Sequence, residues 1–142
     1  MGVLGIDFGS RRLGLAISDD EQRIALPLAP VESRGAEADL EHLRTLVEER
    51  GVERIVVGLP LALDGSRGAQ AEATERFAET LRRELGLPVD LLDERFSSRE
   101  AERALEAGGR RGRKKKKAVI DSVAAAVTLR TYLDRRAGGR SS

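Results

Sequence analysis

The feature that most constrains the fold is a change in the apolar pattern after residue 31. Before this point, three short apolar segments, Val3–Phe8, Leu13–Ser18 and Arg23–Val31, are separated by polar turns. Short apolar runs bounded by turn residues are typical of buried strands, and two prolines in the third segment indicate an edge or irregular strand. We therefore predict that the chain begins with an antiparallel meander of three strands.

The rest of the chain alternates between helical and extended patterns. Apolar residues recur first at helical spacing and then in short continuous runs, and glycines follow the first two helical segments. The predicted elements, in order, are a helix over Glu37–Arg50, a strand over Arg54–Leu59, a helix over Gln70–Leu85, a strand over Pro88–Glu94, a helix opened by a capping box at Ser97 and Glu100, and a last helix over about Ala118–Arg136.

This order of elements predicts an α/β fold. A meander followed by alternating helices and strands gives a mixed five-stranded sheet with helices on both faces. The 142 residues have the size of one domain, which we assign to residues 1–136, and residues 137–142 are predicted to be a disordered tail. No apolar run approaches the ~20 residues of a membrane span, so we expect a cytoplasmic protein without membrane contact.

Composition excludes several kinds of site. The chain has no cysteine, which rules out disulfides, thiolate metal sites and a cysteine nucleophile. Its one histidine, His42, lies in a charged helical segment. Any metal must therefore be held by oxygen ligands, which favours Mg²⁺ or Mn²⁺ over zinc. Aromatic residues make up only 3% of the chain, so binding through long rows of stacked bases is not expected.

Carboxylates at separate places in the chain could converge. Asp7 ends the first predicted strand, while Asp93 and Glu94 end the last one. If these two strands are parallel neighbours, their carboxyl ends share the edge at which open α/β sheets bind ligands. Asp121 lies in the first turns of the last helix, in an apolar stretch where a charge needs a partner. Each acid also has a structural reading, with Asp7 as a turn former and Asp121 as a helix cap.

Converging carboxylates would repel one another unless divalent cations neutralised them. Two such ions can activate water and stabilise the leaving oxygen of a phosphoryl displacement, which is chemistry that needs no histidine or cysteine. Strand alternation allows only one of Asp93 and Glu94 to face a given site, and the sequence does not settle which. We prefer Glu94 for its longer reach and keep Asp93 as an alternative or supporting residue, so the predicted catalytic and metal-binding set is Asp7, Glu94 and Asp121.

A basic segment immediately precedes Asp121. Gly112 is the one residue without positive charge between Arg110 and Lys117, and we predict a loop over Gly108–Lys117 that contacts phosphates. A run of charge is also compatible with a segment that is merely solvated. The predicted nucleic-acid-binding residues are Arg11, Arg12, Arg95, Arg110, Arg111, Arg113, Lys114, Lys115, Lys116 and Lys117.

Four motifs, in order along nearly the whole chain, resemble the YqgF/RuvX family. They are Gly5-Ile6-Asp7-Phe8-Gly9-Ser10-Arg11-Arg12-Leu13-Gly14, Val57-Gly58-Leu59-Pro60 with Asp64-Gly65-Ser66, Asp93-Glu94-Arg95-Phe96-Ser97-Ser98, and Lys115-Lys116-Lys117 leading to Ile120-Asp121-Ser122-Val123-Ala124-Ala125.

The resemblance implies an RNase H-like fold, similar to that of RuvC-type Holliday-junction resolvases. It also implies a nuclease that matures the 5′ end of pre-16S ribosomal RNA, with Asp7, Glu94 and Asp121 as metal ligands. The chain has Ser10 where threonine is common in the family, and Phe96-Ser97-Ser98 where Leu-Thr-Thr is common. Neither departure removes a carboxylate, so an active enzyme is expected.

Three other functions stay open at this point. The same carboxylates could serve a Holliday-junction resolvase-like nuclease on branched DNA. An actin-like or sugar-kinase-like nucleotide-binding domain can also open with an apolar strand followed by Asp-x-Gly, although 142 residues supply only one of its two lobes. The third alternative is a non-catalytic RNA-binding domain. The sequence does not decide between a monomer and a homodimer.

Overall fold

The computed structural model describes residues 2–8, 11–19, 21–60, 68–93 and 113–140, and in the last of these segments it describes side chains over 123–136. The predicted helix that opens at Ser97 lies outside the described residues. The elements are β1 (Gly2–Phe8), β2 (Arg12–Ser18), β3 (Ala25–Glu32), α1 (Ala36–Arg50), β4 (Val52–Leu59), α2 (Ala69–Leu85), β5 (Val89–Asp93) and α3 (Arg113–Arg140).

The strands form one five-stranded sheet in the order β3-β2-β1-β4-β5. β1, β2 and β3 pair antiparallel, whereas β1, β4 and β5 run parallel. The predicted mixed sheet and meander are confirmed, and β3, with its two prolines, lies at an edge. The first and last strands, considered above as possible parallel neighbours, are not adjacent. β4 lies between β1 and β5 and pairs with both. The carboxyl ends of β1, β4 and β5 still lie along one edge, called here the carboxyl edge.

The helices cover opposite faces of this sheet. Leu43 of α1 and Leu81 of α2 are fully buried against one face, together with Leu4 and Ile6 of β1. On the other face, Leu129 of α3 packs with apolar residues of β1, β4 and β5, among them Val3, Val56 and Leu92. We call these the α1/α2 face and the α3 face. Because side chains alternate along a strand, the odd-numbered residues of β1 lie on the α3 face and the even-numbered ones on the α1/α2 face.

The ends of α1 and α2 follow from the glycines after them. Gly51 and Gly86 have φ values of 63° and 67°, in the left-handed region that glycine adopts without the steric cost of a Cβ. The N–H of Gly51 donates to the carbonyl of Val47, and the N–H of Gly86 donates to the carbonyl of Arg82. Both ends were predicted from the sequence, because this type of cap depends on a local backbone preference.

Helix α3 is longer at both ends than predicted. The predicted loop Gly108–Lys117 was wrong from Arg113 onward, because α3 begins there, and the helix continues past Arg136 to Arg140. Lysine and arginine have good helix propensity, and a like-charge pair destabilises a helix by only about 0.2–0.5 kcal/mol. Once nucleated, a helix gains one hydrogen bond for each residue it adds, so neither the basic run nor the pair Gly138-Gly139 ends it.

Gly5 sets how closely α3 approaches the sheet. A Cβ added to Gly5 would lie 2.9 Å from Cβ of Leu129 and 3.0 Å from the carbonyl oxygen of Ala125. Real Cβ atoms almost never make contacts this short, so any larger residue would push the helix away from β1. The glycine therefore permits the backbone of α3 to pack almost directly on β1.

A polar cluster joins α3 to the amino-terminal parts of β4 and β5. The hydroxyl of Tyr132 donates to the carboxylate of Asp90, which also accepts a hydrogen bond of 3.0 Å from Nη1 of Arg54. Burial raises the pKa of Tyr132, and the hydrogen bond to Asp90 and the negative charge of Asp90 raise it further. The neutral phenol is thus the form that the folded state favours.

We expect Tyr132→Phe to lower the free energy of unfolding by about 1.5–3 kcal/mol, the range for a hydrogen bond to a charged group. Because the pKa of Tyr132 is higher when folded than when unfolded, its contribution is complete below the unfolded pKa of about 10 and is lost as the pH rises through the folded pKa. Urea unfolding from neutral to strongly alkaline pH measures this difference. Tyr132 is the only tyrosine, so parallel pH profiles for the two proteins would contradict the prediction.

Candidate carboxylate site at the carboxyl edge

Asp7 lies half-buried near the end of β1, with its side chain on the α3 face. Its cross-strand partner on β2 is Gly14. On the other side, the register that pairs Ile6 with Val57 continues to place Asp7 beside Gly58 of β4. The Asp7 carboxylate therefore has no side chain next to it on either neighbouring strand. Glycine inside a strand often marks a point where a ligand or another backbone comes close.

The backbone of Asp121 lies one helical turn before the contact between Ala125 and Gly5. Tyr132, late in α3, contacts Asp90 of β5, which is level with Gly5 in the register of the sheet, so α3 crosses from β1 toward β5. Asp121 precedes Ala125 by one helical turn, about 6 Å, and Asp7 lies two residues beyond Gly5, about 7 Å along the strand. Since Ala125 touches Gly5, the backbones of both acids lie within about 7 Å of this contact along their own elements. The side chain of Asp121 lies outside the described part of the helix.

Asp93 is not brought to the same face as Asp7. It ends β5 opposite Leu59 and is half-buried. On β5, Val89 and Leu91 pack on the α1/α2 face, whereas Leu92 packs on the α3 face. Alternation therefore assigns Asp93 to the α1/α2 face. Glu94, the preferred ligand from the sequence, lies outside the described residues.

The predicted basic residues fall into three groups in the structure. Arg11 is exposed and Arg12 half-buried, at the start of β2 and next to the carboxyl edge. The N–H of Ser33 donates to the carbonyl of Arg11 at 2.9 Å, which holds this turn beside the end of β3. The first turns of α3 contain Arg113 and Lys114–Lys117, of which the structure describes the backbone. Arg95, Arg110 and Arg111 lie outside the described residues.

The described side chains alone do not form a metal centre. Among them, no group of three or more histidine, cysteine, aspartate or glutamate residues is close enough to hold a metal ion. Two of the three predicted ligands, Glu94 and Asp121, have side chains outside that set. The described helices also include none that is both long and apolar enough to span a membrane.

Sequence reasoning missed the glycines that shape the site. Gly5, Gly14 and Gly58 all lie inside strands and on the α3 face, where they determine the approach of α3 and the surroundings of Asp7. A usable signal was present, because glycine weakens a strand and its presence in a strand interior suggests a close backbone approach. What the sequence lacked was the register that aligns Gly14 and Gly58 with Asp7.

Comparison with known sequences identifies relatives along the full fold. The model of the RuvX family, described as Holliday junction resolvase, matches residues 1–135. A relative from Chloroflexus aurantiacus is 48% identical over 134 residues, which cover 94% of this chain and 87% of the relative. Another from Geobacillus kaustophilus is 46% identical over 136 residues, covering 94% of this chain and 98% of the relative. Both relatives are named as pre-16S rRNA nucleases.

Solved structures resemble this fold at low sequence identity. RuvC of Thermus thermophilus, in complex with a Holliday junction substrate, aligns with a TM-score of 0.62 at 18% identity, covering 97% of this chain and 96% of RuvC. The fowlpox virus resolvase in complex with Holliday junction DNA aligns with a TM-score of 0.55 at 11% identity, covering 96% of this chain and 99% of the resolvase. These likenesses confirm the predicted RNase H-like fold. Given the family match over residues 1–135, the chain belongs to the RuvX family.

Proposed function

We propose that this protein is a metal-dependent endonuclease that hydrolyses phosphodiester bonds at the 5′ end of pre-16S ribosomal RNA. The observation that carries the proposal is the position of Asp7, on the α3 face of the carboxyl edge and between two glycines, in a chain of the RuvX family. The names of the similar relatives support the choice of RNA substrate. A cytoplasmic location is part of the same proposal, because ribosomal RNA precursors are processed there.

The proposed catalytic set is Asp7, Glu94 and Asp121. On β5, Asp90 bonds to Tyr132 of α3 and Leu92 packs with it, so the even-numbered positions of this strand lie on the α3 face. This alternation favours Glu94 over Asp93 as the partner of Asp7. The contact between Gly5 and Ala125, one turn from Asp121, supports the third member.

An all-oxygen ligand set at this edge suits Mg²⁺ or Mn²⁺. β4 separates β1 from β5, so their backbones are about 10 Å apart. In a two-metal site the ions are about 3.5–4 Å apart, and ligands bound on their outer sides are separated by a distance comparable to that between β1 and β5. Gly58 lies between Asp7 and Leu92 on the α3 face, and it leaves the sheet free of a side chain across this gap. When bound, the ions would supply a metal-activated hydroxide and stabilise the leaving oxygen.

The basic residues would hold the phosphate backbone across this edge. Arg11 and Arg12 flank the end of β1, and the basic first turns of α3 lead directly to Asp121. Contacts of this kind position nucleic acid without reading its sequence, and they make binding weaken as salt rises. We assign this role to Arg11, Arg12, Arg95, Arg110, Arg111, Arg113, Lys114, Lys115, Lys116 and Lys117.

Branched DNA is the second candidate substrate, because the family description names Holliday junction resolvase and the fold resembles RuvC. A junction resolvase must cut two strands, which requires two active sites in a dimer. The nucleotide-binding alternative is set aside, because the nuclease family matches nearly the whole chain.

A side-by-side cleavage assay tests the proposal. The protein is incubated with Mg²⁺ or Mn²⁺ and with a pre-16S rRNA fragment, an unstructured single-stranded RNA or a four-way DNA junction, at low and high salt. We expect metal-dependent cleavage near the 5′ end of the rRNA fragment that weakens as salt rises. Paired cuts in the junction by a stable dimer would favour the DNA substrate instead. No cleavage of any substrate would contradict the nuclease assignment.

A pair of variants separates the two acids at the end of β5. We expect Glu94→Gln to reduce kcat at least about 1,000-fold, because it would remove a carboxylate that holds the metal cation, and the charge of that cation stabilises the transition state. Asp93→Asn, an equivalent change on the α1/α2 face, should reduce kcat no more than about tenfold, less than the usual loss of an outer-shell partner. Single-turnover cleavage of the rRNA fragment measures both, and the reverse ranking would reassign the ligand to Asp93.

A further inference from the structure

A small cleft opens at the carboxyl edge on the face of the sheet opposite to the proposed carboxylate site. It has a volume of about 280 Å³ and lies between α1 and α2. Phe8 and Phe77 line one side, Ala36 and Leu40 of α1 line another, and Arg76 and Thr80 of α2 line a third. Ser33 and Asp39 complete the lining, and the Asp39 carboxylate accepts hydrogen bonds from the Ser33 hydroxyl and the Arg34 N–H. We call it the Phe8 cleft. Its volume of about 280 Å³ is just below the range of about 300–1,000 Å³ typical of ligand pockets, which suits a single flat ring system.

The aromatic side of the cleft is directly connected to Asp7. Phe8 follows Asp7 in the chain, and alternation directs the two side chains to opposite faces of the same strand end. The rings of Phe8 and Phe77 are stacked, with centroids 4.5 Å apart and planes 13° apart. Nε2 of Gln70 donates to the carbonyl of Phe8 at 3.1 Å, which ties the start of α2 to this strand end.

Arg76 is the charged residue of the cleft lining that faces solvent, and two further arginines lie on nearby loops. The side chain of Arg76 is 80% exposed and forms a surface ion pair of 3.8 Å with Glu72, a kind of pair weak enough to exchange for an incoming anion. Arg34 and Arg11 lie on neighbouring loops of the same edge, since the N–H of Arg34 donates to Asp39 at 3.0 Å and the carbonyl of Arg11 accepts from Ser33. An aromatic cleft with an exposed arginine in its lining matches a nucleobase that carries a neighbouring phosphate.

We propose that the Phe8 cleft binds one unstacked nucleobase of the substrate strand, next to the phosphodiester that is cut at Asp7. This inference rests on the proposed nuclease function and adds a binding site to it. Stacking on aromatic side chains is the common way in which proteins hold single-stranded bases, and it tolerates any base because each has a π face. A base within a duplex would first have to unpair, so the cleft favours cleavage in single-stranded segments.

The first test measures base binding without cleavage. Adenosine 5′-monophosphate is titrated into the metal-free protein, and NMR signals of Phe8, Phe77 and Thr80 are followed; ribose 5-phosphate serves as the probe without a base. We expect these signals to shift with the nucleotide only. Ala36→Leu, which fills the cleft from an exposed position, should weaken binding about tenfold, within the range of one lost stacking contact. Ala38 is exposed on the same helix but lies outside this cleft, so Ala38→Leu should leave nucleotide binding unchanged.

The second test places the base relative to the cut. Abasic sites are introduced one at a time around the cleavage position of the rRNA fragment, and KM and kcat are measured for wild type and Ala36→Leu. One abasic position should raise KM about tenfold in wild type and have little further effect in the variant. If no substrate is cleaved, the proposed nuclease function is contradicted, and the nucleotide titration alone tests whether the Phe8 cleft binds a base. Equal shifts with ribose 5-phosphate, or normal cleavage at every abasic position, would overturn the inference.

Discussion

Replacing Asp7 with asparagine is expected to reduce metal-dependent cleavage at least about 1,000-fold, while the protein stays folded. The amide has nearly the same shape as the carboxylate but carries no charge, so the proposed metal site would lose a charged ligand. No side chain on β2 or β4 can replace it, because Gly14 and Gly58 flank Asp7. Single-turnover cleavage of the rRNA fragment measures the effect, and calorimetric titration with Mn²⁺ measures the expected loss of metal affinity.

Asp7→Asn should not lower the stability of the metal-free protein, although it lowers activity. If Asp7, Glu94 and Asp121 converge, their charges repel in the metal-free protein, and Asp7→Asn removes part of that repulsion. The free energy of unfolding in the absence of metal should therefore be unchanged or higher. Asp134→Asn, the same change at an exposed position of α3, is the matched control and should retain wild-type cleavage. An Asp7→Asn variant with nearly normal activity would restore the reading of Asp7 as a turn residue.

Gly5→Ala is expected to destabilise the fold by about 1–3 kcal/mol, which is the usual cost of overpacking a core. The new methyl would lie 2.9 Å from Cβ of Leu129 and 3.0 Å from the carbonyl oxygen of Ala125. The second of these atoms belongs to the helix backbone, so the strain cannot be relieved by rotating a side chain. Urea unfolding measures the change in the free energy of unfolding.

Gly2→Ala provides the control on the same strand. Its added Cβ would lie 3.5 Å from Oγ of Ser18, an ordinary contact distance. We expect its free energy of unfolding to be unchanged or raised by up to about 1 kcal/mol, because alanine restricts the unfolded chain. Equal effects for the two variants would show that α3 does not depend on close contact at Gly5.

The Gly5→Ala substitution should also affect catalysis, because α3 contains Asp121. A displacement of α3 moves the backbone of Asp121 relative to Asp7, and a misplacement of about 1 Å can cost a rate factor of about 100. Cleavage by Gly5→Ala, measured at a temperature where the variant is folded, should therefore be slower than cleavage by Gly2→Ala. Identical rates for the two variants would show that the distance between α3 and the sheet does not affect the rate of cleavage.

Local sequence patterns determined the elements of this protein and the ends of its first two helices. Strand and helix periodicity depends on contacts within a few residues, and the caps at Gly51 and Gly86 depend on the backbone preference of a single residue. The same local information placed Asp7 at the end of β1 and Asp121 in α3, and the order of motifs indicated the family. The absence of cysteine and the position of the one histidine in a charged helical segment restricted the predicted metal ligands to oxygen.

Tertiary structure decided which of these elements are neighbours. β4 lies between β1 and β5, Gly14 and Gly58 align with Asp7, and Phe8 meets Phe77 across a long stretch of chain. These relations depend on sheet register and on packing between distant segments, which no local period encodes. For the same reason, the sequence did not show which face of the sheet Asp93 occupies. The packing of α1, α2 and α3 assigns Asp93 to the α1/α2 face and the even-numbered positions of β5 to the α3 face.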